Sequence, residues 1–140
     1  MLKLEKIVEG LRRVDWDRLG VDWAVLFGSL ARRGLGRDVD LLVMPRGEGF
    51  DPVDAAVEIA EALGLDASLV DVVDARRASC PVILEAWRRG IYIHGRARAR
   101  EWLLARVWVC YDYAIAKEKL GVTSRALQAM EARWGGCGGH

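Results

Sequence analysis

Amide side chains are almost missing from this sequence, which contains no asparagine and a single glutamine, Gln128. Depletion of thermolabile amides is typical of proteins from thermophiles, so a thermophilic source is a hypothesis that a melting temperature in the mesophile range would contradict. Arginine also greatly outnumbers lysine, a bias that a GC-rich genome explains equally well.

Long apolar runs are missing too. No stretch approaches the roughly 18 apolar residues of a membrane span, and charges interrupt the N-terminal segment MLKLEKIVEGLRRVDW every few positions. We therefore expect no signal peptide, no membrane segment and a cytoplasmic location. The net charge is only +1, so the charge total does not indicate a nucleic acid or an anionic membrane as partner.

Cysteine is scarce and irregularly placed. Cys80, Cys110 and Cys137 are odd in number, widely spaced and contain no Cys-x-x-Cys pair. This pattern argues against a disulfide framework and against a structural zinc site. We expect buried or incidental thiols.

Strand and helix patterns alternate over the first 95 residues. Apolar residues at helical spacing predict a helix over about 3–13. Short runs rich in apolar and β-branched residues predict strands over 21–27, 38–44, 67–73 and 91–95. Two helices between these strands carry start and stop signals, namely Asp51, Pro52 and Gly64 for the first, and Pro81 and Gly90 for the second.

The remaining residues read as helical. One long helix is predicted from Arg96 to about Leu120, with a further helical piece from Ser124 to Trp134. The middle of the long helix, WLLARVWVCYDYAIA, is apolar on almost every face, so we expect it to pack on the sheet and to meet a second chain. Strands interleaved with helices, followed by a helical tail, indicate an α/β or α+β domain.

Two aspartates open the second predicted strand. Side chains two residues apart point to the same face of a strand, so Asp38 and Asp40 project together with Cα atoms roughly 6 to 7 Å apart. Such close carboxylates repel unless a cation or arginine partners neutralise them. Arg32, Arg33 and Arg37 are available nearby, so a surface ion-pair cluster and a metal site are both consistent with the spacing.

Two further features favour a metal and nucleotide site. Gly28 and Ser29 stand where a strand ends and a short turn or helix begins, a place that can aim backbone N–H groups and a hydroxyl at a phosphate. Asp71 adds a third carboxylate on another strand, and clustered Mg²⁺ ions need several oxygen ligands. Asp74 competes for this role, but strand alternation puts it on the opposite face, at a strand end where aspartate commonly begins a turn; we favour Asp71.

Nearby arginines would then clamp phosphates. Arg32 is the best placed of the three because of its position in the turn. Which of Arg32, Arg33 and Arg37 points inward cannot be read from spacing.

Taken together, these motifs resemble a known family. GS followed by DVDLLV, LVDVVD and PVILEAWRRGIYIHG, over about residues 21–95, is similar to the minimal nucleotidyltransferase group of the DNA polymerase β-like superfamily. The family's Gly-Ser step falls on Gly28 and Ser29, its D-x-D motif on Asp38 and Asp40, and its third carboxylate on Asp71. The segment from Ser29 to Asp38 is shorter than the family's and lacks its common proline.

The resemblance implies a fold, cofactors and partners. The fold is α+β: a mixed-sheet nucleotidyltransferase domain over residues 1–95 with helices packed on it, and a helical extension over residues 96–140. This extension belongs to the same compact unit or forms an interface with a partner or a second copy. The implied cofactor is Mg²⁺ or Mn²⁺, and the substrate is ATP or another nucleoside triphosphate. A related group acts as antitoxins to HEPN-domain toxins, by binding them or by attaching AMP to a toxin tyrosine.

The implied reaction is in-line attack of an acceptor hydroxyl on the α-phosphorus, with pyrophosphate as the leaving group. Asp38, Asp40 and Asp71 would hold the metal ions, and Gly28, Ser29 and Arg32 the nucleotide phosphates.

Two readings of other classes compete with this enzyme. One is a non-catalytic antitoxin or nucleotide-binding module that acts through the aromatic C-terminal helix, where Trp102 and Trp108 lie. The other is nucleic-acid binding through HGRARAR at residues 94–100, for which the low net charge gives little support.

Overall fold

A computed structural model describes the backbone of residues 1–119 and the side chains of residues 1–112. The helix predicted over 124–134, Cys137 and the rest of the predicted extension from residue 120 onward lie outside the described residues. The elements within the described range are β1 (Leu2–Lys3), α1 (Leu4–Arg12), β2 (Val21–Phe27), α2 (Ser29–Arg33), β3 (Leu35–Gly36), β4 (Val39–Pro45), α3 (Pro52–Leu63), β5 (Val70–Asp74), α4 (Cys80–Arg89), β6 (Ile91–His94) and α5 (Arg96–Lys119).

Four strands form a mixed sheet in the order β5-β4-β2-β6. β4 pairs in parallel with β5, whereas β2 pairs antiparallel with both β4 and β6. The α+β class with a mixed sheet is thereby confirmed. The two-residue strands β1 and β3 form a separate antiparallel ribbon, which ties the N-terminus to the segment just before Asp38.

Helices cover both faces of the sheet, which explains why β2 is apolar almost throughout. Leu26 and Leu41 face the layer of α1 and α3, while Val25 and Leu42 face the layer of α4 and α5. All four side chains have no exposed surface. Successive residues of β4, including Asp40, therefore point alternately to one helical layer and to the other, and we call this alternation strand parity.

Local capping explains where two elements begin. The Asp51 carboxylate accepts a hydrogen bond from the Val53 N–H at 2.9 Å, and α3 runs from Pro52 to a left-handed Gly64, as predicted. The strand predicted over 67–73 starts later than expected. Asp66 accepts from the Ser68 N–H at 2.9 Å and caps a 3₁₀ turn, so β5 spans Val70–Asp74.

The last described helix, α5, packs against α4 and β2 through one face. Ala99, Leu103 and Val107 are buried there, so the expected packing onto the sheet is confirmed. Its other face leaves Leu104 and Trp108 exposed to solvent. Within residues 1–119, none of the helices is both long enough and apolar enough to span a membrane.

A disulfide joins Cys80, at the start of α4, to Cys110 on α5. Their Cα atoms lie 5.6 Å apart, within the range a disulfide requires. The expectation of unpaired thiols is therefore wrong for these two cysteines. Spacing alone did not reveal the pair because its partners are 30 residues apart and are brought together only by the packing of α5 on α4.

Reduction of this bond is expected to destabilise the fold. In the chain-entropy model, releasing a loop of this length lowers the free energy of unfolding by about 3–4 kcal/mol. Chemical denaturation of the wild type with and without reductant, beside the variant Cys80→Ala/Cys110→Ala, measures this difference. Reductant should lower the midpoint of the wild type and leave the variant unchanged; equal midpoints for the wild type in both conditions would contradict the bond.

Candidate functional site

Three aspartates lie at one end of the sheet. Asp40 on β4 stands directly beside Asp71 on β5 in the parallel register, and Asp38 lies just before β4, two residues from Asp40. Strand parity turns all three toward the layer of α4 and α5. Asp38 and Asp71 are exposed and Asp40 is half-buried, so the group lies at the rim of the sheet rather than in the core.

This cluster clearly shifts the pKa of Asp40. Burial raises the pKa of the Asp40 carboxyl above its ordinary value, and the negative charges of Asp71, Asp38 and Glu85 raise it further. The nearby Arg32 opposes this by lowering the same pKa. The site therefore favours a positive charge beside Asp40.

Gly28 makes room for the Asp40 carboxylate. It has a φ of 85°, in the region that favours glycine, and a Cβ built at this position would overlap Asp40 Oδ2. Any residue with a side chain would thus push against the carboxylate. This contact is the structural reason for a glycine between β2 and α2.

The short helix α2 starts at Ser29, directly after Gly28. Gly28 is its N-cap residue, and the Gly28 carbonyl accepts a hydrogen bond from the Arg32 N–H at 3.1 Å. The predicted Gly-Ser step thus lies at a helix start beside the carboxylates. Such a start presents free backbone N–H groups, which suit a phosphate oxygen.

The arginines of the loop separate into different roles. The Arg32 guanidinium lies 3.2 Å from the Glu85 carboxylate of α4, close enough to Asp40 to influence its pKa. Arg33 and Arg32 line the same groove beside α4. Arg37 is exposed in the segment before Asp38. Arg32 therefore acts on the charge of Asp40, and its contact with a phosphate stays a prediction.

Asp74 has a structural role. Its carboxylate accepts hydrogen bonds from the Arg76 N–H at 2.9 Å and from the Arg76 guanidinium at 2.8 Å, and it caps a 3₁₀ turn after β5. Burial by itself would raise the pKa of Asp74, but the hydrogen bonds and charge of Arg76 make the net shift downward. Asp74 therefore begins a turn, as the alternation of the strand suggested, and faces away from Asp71.

The carboxylates suit a divalent cation by their chemistry. They supply only oxygen ligands, which Mg²⁺ and Mn²⁺ prefer, and their mutual repulsion disappears when a cation joins them. Within the described part of the chain, no three acidic, histidine or cysteine side chains already converge closely enough to hold a metal ion. A cation at this site would therefore have to draw adjacent carboxylates together.

Glu85 is a site residue that sequence reasoning missed. It lies on α4, partly buried, and it both pairs with Arg32 and raises the pKa of Asp40. The segment PVILEAWRRG indicated a helix, and nothing in its spacing connected Glu85 with the aspartates. Only the packing of α4 beside α2 brings Glu85 to the carboxylates.

Replacing the Asp40 charge should stabilise the protein in the absence of metal. Because its folded pKa is raised, the Asp40 carboxylate weakens the fold as pH rises through its ordinary pKa, and the loss is complete above the folded pKa. We expect Asp40→Asn to raise the melting temperature at pH 7 by about 2–4 °C in EDTA. Added Mg²⁺ should stabilise the wild type and not the variant. Asp54→Asn, at an exposed position of α3, is the control; a melting temperature of Asp40→Asn at or below that of the wild type would contradict the assignment.

Asp74 should show the opposite pH dependence. Its lowered folded pKa means that its stabilisation is present above the ordinary aspartate pKa, near 4, and is lost as pH falls through the folded value. Asp74→Asn should therefore lower the stability at pH 7 by about 1–3 kcal/mol. The gap between wild type and variant should narrow between pH 5 and pH 2 in urea denaturation. A gap that stays constant over this range would exclude the charge of Asp74 as the source.

Comparison with known proteins gives no match to a protein-family model and none to a curated protein. Solved structures do match. One is a toxin–antitoxin structure with AMP-PNP, at 23% identity and a TM-score of 0.59, covering 85% of this chain and 94% of that chain. A second is the toxin–antitoxin MntA-HepT, at 22% identity and a TM-score of 0.54, covering 84% and 91%.

A third is a tri-AMPylated HEPN toxin in complex with MNT antitoxin from Shewanella oneidensis, at 22% identity and a TM-score of 0.55. It covers 84% of this chain and 90% of that chain. MntA is the minimal nucleotidyltransferase antitoxin that pairs with a HEPN toxin. These similarities are too distant in sequence to show more than the fold. The chain has the nucleotidyltransferase-like fold of MntA, as its motifs predicted.

Proposed function

We propose that the protein is a metal-dependent nucleotidyltransferase that transfers AMP from ATP to an acceptor hydroxyl, with a tyrosine of a HEPN toxin as the acceptor. The observation that carries this proposal is the register of β4 with β5, which sets Asp40 beside Asp71 on the face that Asp38 shares. Gly28 packs against Asp40 at the start of α2, where a triphosphate would be received.

The residues divide the work as follows. Asp38, Asp40 and Asp71 would hold Mg²⁺ or Mn²⁺, which when bound supplies the positive charge that acidifies the hydroxyl and stabilises the departing pyrophosphate. Ser29 and the backbone at Gly28 fix the outer phosphates, and Arg32 clamps a phosphate oxygen. Holding the phosphates in place makes the attack effectively intramolecular.

The proposed reaction forms one bond, breaks one bond and releases one proton. The acceptor oxygen forms a bond to the α-phosphorus while the bond to the pyrophosphate oxygen breaks, and the hydroxyl proton leaves. Asp71 is exposed at the rim of the site, so its carboxylate is open to an acceptor arriving from solvent and can take that proton.

The similar structures support the nucleotide and the acceptor. One of them contains AMP-PNP, an analogue of ATP, and another contains a HEPN toxin that carries three AMP groups beside its antitoxin. These facts concern those proteins. They make ATP and a HEPN tyrosine the first substrates to test with this chain.

The test is transfer of label from α-phosphate-labelled ATP. The protein, Mg²⁺ and a lysate of the source organism are incubated together, and wild type is compared with Asp38→Asn/Asp40→Asn. We expect a labelled macromolecule with wild type and background label with the variant. The control is Asp54→Asn/Glu61→Gln, at two exposed positions of α3. It removes the same charge from the opposite side of the sheet and should give as much labelled product as wild type.

A second candidate function is toxin neutralisation by binding alone, acting through α5. Its outer face exposes Leu104, Trp108 and Val109, an apolar set that favours a protein partner or a second copy of this chain. Absence of label from both proteins, while each still captures the same partner from the lysate, would replace the enzyme with this binding module. Loss of label in the control variant as well would refute the assignment of the carboxylates.

A further inference from the structure

A groove lined by arginines runs beside the carboxylates. It lies between α2 and α4 and has a volume of about 690 Å³, within the range of ligand sites in proteins. Its lining residues are Arg32, Arg33, Pro81, Leu84, Glu85, Arg88 and Arg89. The described lining thus contains four arginines and one glutamate, so the groove is positive in a chain whose net charge is only +1.

Two of the four arginines are held in place. Arg32 pairs with Glu85 at 3.2 Å, at the end of the groove next to Asp40. On α4, the Arg88 guanidinium donates a hydrogen bond of 2.5 Å to the Tyr111 hydroxyl of α5 and lies 5.7 Å from the centre of the same ring. Held cations lose less side-chain entropy on binding an anion than free ones do.

The proposed reaction leaves most of this charge without a role. Arg32 is close enough to Asp40 to serve the nucleotide, but Arg33, Arg88 and Arg89 are not needed for that step. Uncompensated like charges on adjacent helices repel each other. An anionic ligand along the groove would remove that repulsion.

We propose that this groove binds an acidic polypeptide segment and thereby places the acceptor hydroxyl beside the carboxylates. The placement of the acceptor hydroxyl rests on the proposed function, whereas the binding of an acidic segment does not. Arginine is suited to carboxylates because its planar fork can donate two parallel hydrogen bonds to one of them. The apolar side chains of Pro81 and Leu84 provide contact area for the backbone and side-chain stems of such a segment.

An acidic polypeptide fits the groove better than a nucleic acid does. Sites for single strands combine positive charge with aromatic rings on which bases stack, and none of the described side chains that line this groove is aromatic. The ring of Tyr111 is engaged by Arg88.

The first measurement is direct binding of a fluorescein-labelled pentapeptide with one tyrosine between pairs of glutamates, followed by anisotropy. EDTA is present and ATP is absent, so neither metal nor catalysis contributes. We expect Arg88→Glu/Arg89→Glu to weaken binding about tenfold or more, because attraction becomes repulsion at two positions. Glu85→Gln should tighten it by about twofold to fivefold, since the one acidic side chain lining the groove is lost.

The matched control is Lys6→Glu/Arg13→Glu, which makes the same charge change at two exposed positions, one in α1 and one at its C-cap, across the sheet from the groove. This variant should bind the peptide like wild type, and circular dichroism and melting temperature should confirm that every variant is folded. If the control weakened peptide binding as much as the groove variant does, the effect would come from net charge alone, and the proposal would be overturned.

Two further probes separate the alternatives. A pentapeptide with lysines in place of the glutamates should not bind, whereas an oligothymidylate that binds tighter than the acidic peptide and displaces it would assign the groove to nucleic acid instead. The outcome is independent of the labelling experiment. Peptide binding without AMP transfer would refute the proposed enzyme and support the proposed groove. AMP transfer that is unchanged in Arg88→Glu/Arg89→Glu, together with no peptide binding, would refute the groove and support the enzyme.

Discussion

The parallel pairing of β4 with β5 is the constraint on which the rest of the site depends. It sets Asp40 directly beside Asp71, although their charges repel and Asp40 is half-buried. The sheet can impose this arrangement because its central strands bury side chains on both faces, including Leu41 and Leu42. A slip of one residue would turn Asp71 to the opposite face and would place apolar side chains in water.

The helix α4 joins the carboxylates to the rest of the molecule. Its Glu85 pairs with Arg32 and raises the pKa of Asp40, while Arg88 and Arg89 line the groove. The same helix is bound to α5 twice, by the disulfide of Cys80 and by the contact between Arg88 and Tyr111. The packing of α5 thus holds α4, the helix that lines the groove.

Much of the fold could be predicted because its signals are local. The apolar runs of β2 and β4, the cap of α3 at Asp51 and the preference for Asp71 over Asp74 all follow from the period of a strand or the chemistry of a helix start. The start of β5 was placed too early because Asp66 caps a 3₁₀ turn that an apolar run conceals. The ribbon of β1 with β3 was missed because two-residue strands leave no periodic pattern.

The parts of the site that could not be predicted depend on packing between distant segments. Glu85 meets Arg32 across 53 residues of sequence (85 minus 32), and no spacing rule connects them. The pairing of Cys80 with Cys110 has the same origin, as does the separation of Arg32 and Arg33 from Arg37. In each case the residue and its local structure could be read from the sequence, whereas its contact partner depends on tertiary packing.

The order of the strands also has a consequence for synthesis of the chain. Asp38 and Asp40 precede Asp71, and the whole of α3 lies between them because a parallel pair needs a crossover. On a ribosome, the first two carboxylates emerge before the third, and α4 with its arginines emerges later still. A cation or a nucleotide can therefore find the complete set of carboxylates only on a chain whose sheet has formed through β5, so a premature fragment that ends before β5 lacks the site.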